Sequence, residues 1–141
     1  MDNNHYDNWY NWNHLRILVI EDDYARYLLL KEVLDATSIN INQTYSAHQT
    51  FEFLKQNKVN LIIINSSIPD NENFRIVKEI REHYPFLPIV AYLKGNSYKD
   101  EIKSLESGCD TFINNHIDSA QLLATLDDLL HRSSILNSIH I

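Results

Sequence analysis

Glycine is scarce in this chain: Gly95 and Gly108 are the only two in 141 residues. A phosphate-cradling loop needs a glycine-rich turn whose backbone can approach the ligand, so a P-loop is excluded. No such turn follows the first apolar segment either, which removes the dinucleotide-binding fingerprint. Cysteine is scarcer still. Cys109 stands alone, cannot close an internal disulfide, and fits a reducing compartment. Basic residues are outnumbered, 12 Lys and Arg against 19 Asp and Glu, for a formal net charge of −7. With no basic cluster, a nucleic-acid surface is excluded. No apolar run approaches the roughly 18 to 20 residues that span a bilayer, and the N-terminus lacks the basic and apolar regions of a secretory leader. These absences leave an acidic, soluble, cytoplasmic domain. Its 44% hydrophobic residues suffice for one core.

What is present alternates in period. Residues 1–14 stand apart, with both tryptophans (Trp9, Trp12), Tyr6 and Tyr10 in a background of Asn and Asp. Three readings are open: a mobile tail, a docking arm, or rings packed back onto the domain. His5 and His14 lack metal-ligand spacing. From residue 15 to 133 the chain reads as one domain, and 134–141 as a short tail. Leu15–Ile20 suits a buried strand bounded by Glu21-Asp22-Asp23. Tyr24–Asp35 has helical spacing at Tyr27, Leu30, Lys31 and Leu34. Ile39–Tyr45 is a weaker strand, Gln49–Gln56 a short helix, and Val59–Ile64 a nearly continuous apolar strand. Phe74, Val77, Ile80 and Tyr84 mark a helix stopped by Pro85 and Pro88; Pro88–Leu93 is the next strand. Ser97 with Asp100 opens a helix that Gly108 closes. Thr111–Ile113 is a short strand. Asp118 with Gln121 caps a last helix faced by Leu122, Leu126, Leu129 and Leu130.

Five strands alternating with five helices imply a doubly wound parallel sheet of the flavodoxin-like (βα)5 kind, in strand order 2-1-3-4-5. Ligands of such sheets bind outside the strand C-termini.

The ordered set Arg16–Asp23, Leu61–Ile64 with Ile68-Pro69-Asp70, Pro88–Ala91 and Gly108–Ile113 resembles the receiver domain of two-component response regulators. The resemblance runs from Leu15 to about Arg132. It implies an aspartate that attacks a phosphoryl donor, carboxylates that hold a divalent metal, and a hydroxyl and a lysine that grip the phosphoryl oxygens. Glu21 and Asp22 match the acidic pair, and clustered carboxylates suit Mg²⁺. Ser67 would offer a backbone carbonyl to that metal. Asn65 stands at the phosphoacceptor position, Leu93 at the hydroxyl position and Asn115 at the lysine position, with His116 in place of the following proline. Phe112 matches the aromatic switch of the fifth strand. An amide cannot attack as a carboxylate does, so the site is expected to be degenerate, as in pseudo-receivers.

The expected function is therefore a phosphorylation-independent signalling module and not an enzyme. No cofactor is expected, only weak Mg²⁺ at Glu21 and Asp22, or a vestigial acidic loop there. Resemblance assigns docking or homodimerisation to residues 97–132, with a signalling kinase or an output protein as partner. No second domain is expected after Arg132, so output is expected through that partner. The alternative is a receiver whose altered site still answers Mg²⁺ or a phosphoryl-type ligand, with Phe112 coupled to it. A flavin-binding relative of the same fold is a third class. Deamidation of Asn65, which precedes Ser66, would regenerate an aspartate. Phe112 and Cys109 are expected in the core, and His48, His83 and His131 at the surface.

Overall fold

The computed structural model describes residues 10–95, 97–114 and 116–139, with side chains described through residue 132. Of the expected tails 1–14 and 134–141, residues 1–9 and the side chains of the second lie outside the described residues, as does Asn115.

The chain runs β1 (Arg16–Ile20), α1 (Tyr24–Leu34), β2 (Asn40–Thr44), α2 (Ala47–Gln56), β3 (Leu61–Asn65), α3 (Arg75–His83), β4 (Ile89–Leu93), α4 (Tyr98–Ser107), β5 (Thr111–Asn114) and α5 (Ser119–Ile139). The strands form one parallel sheet ordered β2-β1-β3-β4-β5. This is the doubly wound, flavodoxin-like arrangement that the alternation of periods predicts. Helices cover both faces, so β3 needs an apolar side chain on each, and Leu61 to Ile64 are all fully buried. Burial of each such side chain is worth about 1.5–3 kcal/mol.

Alternate residues of each strand feed two cores. Ile17, Val19, Ile63 and Val90 meet Tyr27, Leu30 and Leu34 of α1 and Leu122, Leu126 and Leu130 of α5. Leu18, Ile20, Ile62 and Ile64 meet Leu54 of α2 and Ile76, Val77 and Ile80 of α3. Local chemistry sets the helix ends. Asp23 accepts from Ala25 N at α1, Ser46 from Gln49 N at α2, Ser97 from Asp100 N at α4 and Asp118 from Gln121 N at α5. Gly108 ends α4 with φ +121°, as a glycine after a helix can.

Several elements differ from the sequence reading. Trp12, within the segment set apart as 1–14, is buried in the α1–α5 core; its backbone N–H donates to Thr37 O at 2.8 Å and Tyr10 packs on its ring. The third reading of those rings is the one these two residues follow. Helix α5 passes residue 133 and ends at Ile139, because no glycine or proline interrupts Ser119–Ile139. Phe74 precedes α3 rather than joining it. A 3₁₀ segment, Pro69–Phe74, intervenes, with Asn73 and Phe74 both left-handed (φ +55° and +57°). Tyr84 caps α3 from outside the helix.

Helix α4 is arranged unlike the others. Its buried residues are Ser104 and Ser107, whose hydroxyls donate back to Glu101 O and Lys103 O of the same helix. Its large apolar residues, Tyr98, Ile102 and Leu105, are exposed. One side chain from α3 and one of its own tie it to the rest of the domain. Arg81 of α3 donates to Gly108 O and to Asp110, and Lys103 donates to Asn73 Oδ1 at 2.6 Å.

Candidate functional site

The C-terminal ends of β1 and β3 bring Glu21 and Asn65 together. Each is only 2% exposed. Strand pairing forces the meeting, since Ile20 lies opposite Ile64 and each polar residue is the next in its chain. The Asn65 amide Nδ2 donates to both Glu21 oxygens, at 3.0 and 2.9 Å. Its Oδ1 accepts from Ser67 N at 2.9 Å, which starts the turn after β3. Glu21 Oε2 also accepts from Asp23 N at 3.1 Å. Both ends of the Asn65 amide and both carboxylate oxygens are therefore engaged. Burial pushes the Glu21 carboxyl above the ordinary carboxylate range. The Asn65 and Asp23 N–H donors and the nearby Arg26 charge pull against that rise without cancelling it.

The other positions are less concentrated. Asp22 is exposed, and Asp23 serves α1 as its cap. Leu93 is buried with the α2–α3 core, where a branched hydrocarbon packs and offers no hydroxyl. Phe112 is half-buried against the same core. His116 is exposed and its backbone N–H donates to Asn114 Oδ1. Cys109 is buried, and the nearby Arg81 charge does not offset that burial. Burial first, and then the Asp110 charge, push its thiol up to about 12, so it is not a nucleophile at neutral pH. His48, His83 and His131 are exposed.

Arg26 and Tyr92 belong to this site and carry no motif that would single them out. Tyr92 is the register partner of Asn65 on β4. Burial raises its hydroxyl pKa, Glu21 adds to the rise, and Arg26 opposes it. The only sequence signal was strand alternation, which separates Tyr92 from the faces of Ala91 and Leu93.

A hard divalent cation wants about six oxygen ligands. Here Glu21 is bonded through both oxygens to the Asn65 amide, and Asn65 turns its own oxygen to Ser67 N. Among the described residues no three metal-ligating side chains gather. The arrangement does not fit the metal that the receiver resemblance implies. Regenerating an aspartate by deamidation is also opposed, because the attacking nitrogen, Ser66 N, donates to Tyr92 O at 3.0 Å.

Comparison with known proteins follows the same fold. The profile of the response regulator receiver domain matches residues 17–127. The response regulator GtcR of Aneurinibacillus migulanus is 28% identical over 117 residues, 83% of this chain and 48% of that protein. The transcriptional regulatory protein CpxR of Klebsiella pneumoniae is 26% identical over 118 residues, 84% of this chain and 50% of the relative. The chain thus spans about half the length of these curated relatives. Among solved structures, a two-component response regulator from Clostridium difficile superposes with a TM-score of 0.76 at 25% identity, over 84% of this chain and 97% of that one. The signal receiver domain of a LuxO repressor protein from Vibrio parahaemolyticus superposes with a TM-score of 0.78 at 18% identity, over 89% and 96%. With the fold, the strand order and a profile match over most of its length in agreement, the chain belongs to the response regulator receiver domain family.

Proposed function

We propose that this receiver domain signals without being phosphorylated and acts by docking a protein on the surface of residues 97–132. It is a binding module rather than an enzyme. Two features support the two halves of that reading. The Asn65 amide is bonded to both Glu21 oxygens, so the position that would attack a phosphoryl donor holds no nucleophile and its acidic neighbour is already engaged. The inverted helix α4 carries the second half: it buries serines and presents Tyr98, Ile102 and Leu105 outward, with Tyr98 74% exposed. Residues spaced four and three apart form one stripe on a helix. Tyrosine at the head of such a stripe is the residue type that interfaces favour.

The partner is a signalling kinase or an output protein, the latter in keeping with relatives named as transcriptional regulators. A second copy of the chain is the other occupant to test. No helix among the described residues is long and apolar enough to cross a membrane, and the acidic balance disfavours nucleic acid. We place the domain in the cytoplasm, with no resident cofactor.

An amide NMR spectrum titrated with Mg²⁺ and then beryllofluoride, an acyl-phosphate mimic, tests the first half. The expected result is no saturable shift at Glu21, Asp22 or Asn65. Saturable shifts that spread to Phe112 and α5 would overturn the reading in favour of a working, altered phosphoreceiver.

A further inference from the structure

The segment between β3 and α3 holds the least comfortable backbone and side chain among the described residues. Asn73 and Phe74 are consecutive left-handed residues, and for a bulky side chain such as Phe74 that conformation is a true outlier. Phe74 is nevertheless buried against the α2–α3 core. Asn71 is 2% exposed; its Oδ1 accepts from Ile76 N at 3.1 Å, but its Nδ2 has no partner among the described residues. Buried donors are almost always paired, so an orphan beside two strained residues marks a segment held by its surroundings against its own preference.

Those surroundings connect two distant features. At one end the segment starts from Asn65, whose Oδ1 holds Ser67 N and whose backbone carbonyl accepts from Ile68 N at 3.4 Å. Ile68 O then accepts from Asn71 N at 3.0 Å. At the other end Lys103 of α4 donates to Asn73 Oδ1 at 2.6 Å. A continuous set of bonded groups thus runs from the buried Glu21–Asn65 pair to α4, bypassing Leu93 and Phe112.

We infer that the Asn71–Phe74 segment is a strained, two-state relay between the Glu21–Asn65 pair and helix α4, latched shut by Lys103. In the closed form seen here Asn71 is buried and Phe74 is left-handed. In the open form Asn71 Nδ2 reaches water and Phe74 returns to a right-handed conformation, at the cost of Phe74 packing and the bond to Ile76 N. Opening releases Lys103, so whatever moves α4 also biases the turn after Asn65, and the reverse. A physical coupling needs such an element with two arrangements rather than mere adjacency. The relay does not require that a partner docks on α4. A rigid segment would leave the docking proposal intact, and a partner bound elsewhere would leave the relay intact.

Native-state hydrogen exchange on the whole chain tests it. The amides of Asn71, Arg75 and Ile76 should exchange as a group, faster than those of Ile62 to Ile64. Lys103→Ala should speed that group about tenfold, the effect of one lost charge-assisted bond, without changing β3. Asn73→Gly and Asn73→Ala both lose the bond to Lys103, but only glycine is free of the left-handed penalty. The glycine variant should therefore open less readily than the alanine variant. Finally, Asn65→Ala should shift amides of residues 71–76 and 98–107, and the second set should fall silent in a Lys103→Ala background. Segment amides as slow as those of β3, or equal behaviour of the two Asn73 variants, would overturn the inference. So would α4 shifts that persist without Lys103. If Asn65→Ala fails to fold, the exchange comparison and the Asn73 pair still decide.

Discussion

Two regions of this domain invert the usual placement of side chains, and they do so in opposite senses. At the ends of β1 and β3 a carboxylate and an amide are buried, Glu21 and Asn65. On α4 a tyrosine, an isoleucine and a leucine are exposed, while serines face the sheet. The first inversion is closed internally: every hydrogen-bonding atom of the Asn65 amide and both oxygens of Glu21 have partners. The second is not closed by anything within the described residues. A buried polar group left unpaired costs about 1–3 kcal/mol, so a satisfied pair is what folding alone would select. An outward apolar stripe gains nothing from folding, so its use is sought outside the domain. One region is closed within the fold, and the other is the surface that the docking proposal uses.

The largest expected effect comes from reopening the closed inversion. Asn65→Asp replaces a donor with a second carboxylate at the 2.9–3.0 Å now spanned by hydrogen bonds. Breaking such a buried pairing costs about 3 kcal/mol. Urea denaturation at pH 7 without metal should show that loss, and lower pH should reduce it, because the two carboxyls can then share a proton. Unchanged stability at pH 7 would mean that the pair contributes no more than an ordinary surface contact, and the contrast with α4 would collapse.

Next is the anchorage of α4. Arg81 donates to Tyr84 O, Pro85 O and Leu87 O as well as to Gly108 O and Asp110, so it ties α3, the loop before β4 and the end of α4 together. Arg81→Met keeps the aliphatic stem and removes the donors. It should cost about 2 kcal/mol by leaving part-buried carbonyls unpaired. Faster amide exchange should be concentrated at 104–110. A loss spread evenly over the sheet would show that α4 is not the separately held element described.

Glu21→Gln sharpens the comparison through pH. Burial holds the Glu21 carboxyl above its ordinary value of 4.5. The folded state therefore holds that proton more tightly than the unfolded state. Its contribution to stability is most favourable below the ordinary value and declines as pH rises through the raised one. Above that window ionised Glu21 is a net liability that the glutamine variant lacks. The variant should gain on the wild type as pH climbs from acid to neutral, read as the difference in melting temperature. A difference independent of pH would mean that the carboxyl titrates as if exposed.

The smallest effect on folding should accompany the exposed stripe. Tyr98→Ser with Leu105→Ser should change stability by no more than about 0.5 kcal/mol, the range of ordinary surface changes. The same double variant should abolish partner capture once the partner is known, or dissociate a homodimer if sedimentation finds one. A large loss of stability would show that the stripe packs within the domain after all.

How much of this was legible beforehand follows from range. β3 was readable because both its faces are covered and an uninterrupted Leu61–Ile64 run can mean little else. The cap at Ser97 and the stop at Gly108 were readable because each involves neighbours within a turn. Asn65, Glu21 and Leu93 could be placed at the site by their order along the strands. The sequence could not show that the Asn65 amide bonds both Glu21 oxygens, because those residues are 44 apart and parallel strand register alone joins them. Tyr92 and Arg26 were missed for the same reason, and Trp12 was grouped with a segment whose composition reads as tail.

Hydrophobic period and turn chemistry act over a few residues, so the alternation of strands and helices, and with it the winding of the sheet, is written locally in the chain. That residue 65 is an amide is written there too. Folding added that this amide is locked against Glu21, that α4 turns its serines inward, and that residues 71–74 are held in a conformation they would not choose. Each of these outcomes depends on groups brought together from distant parts of the chain, where packing and hydrogen-bond satisfaction outweigh local preference.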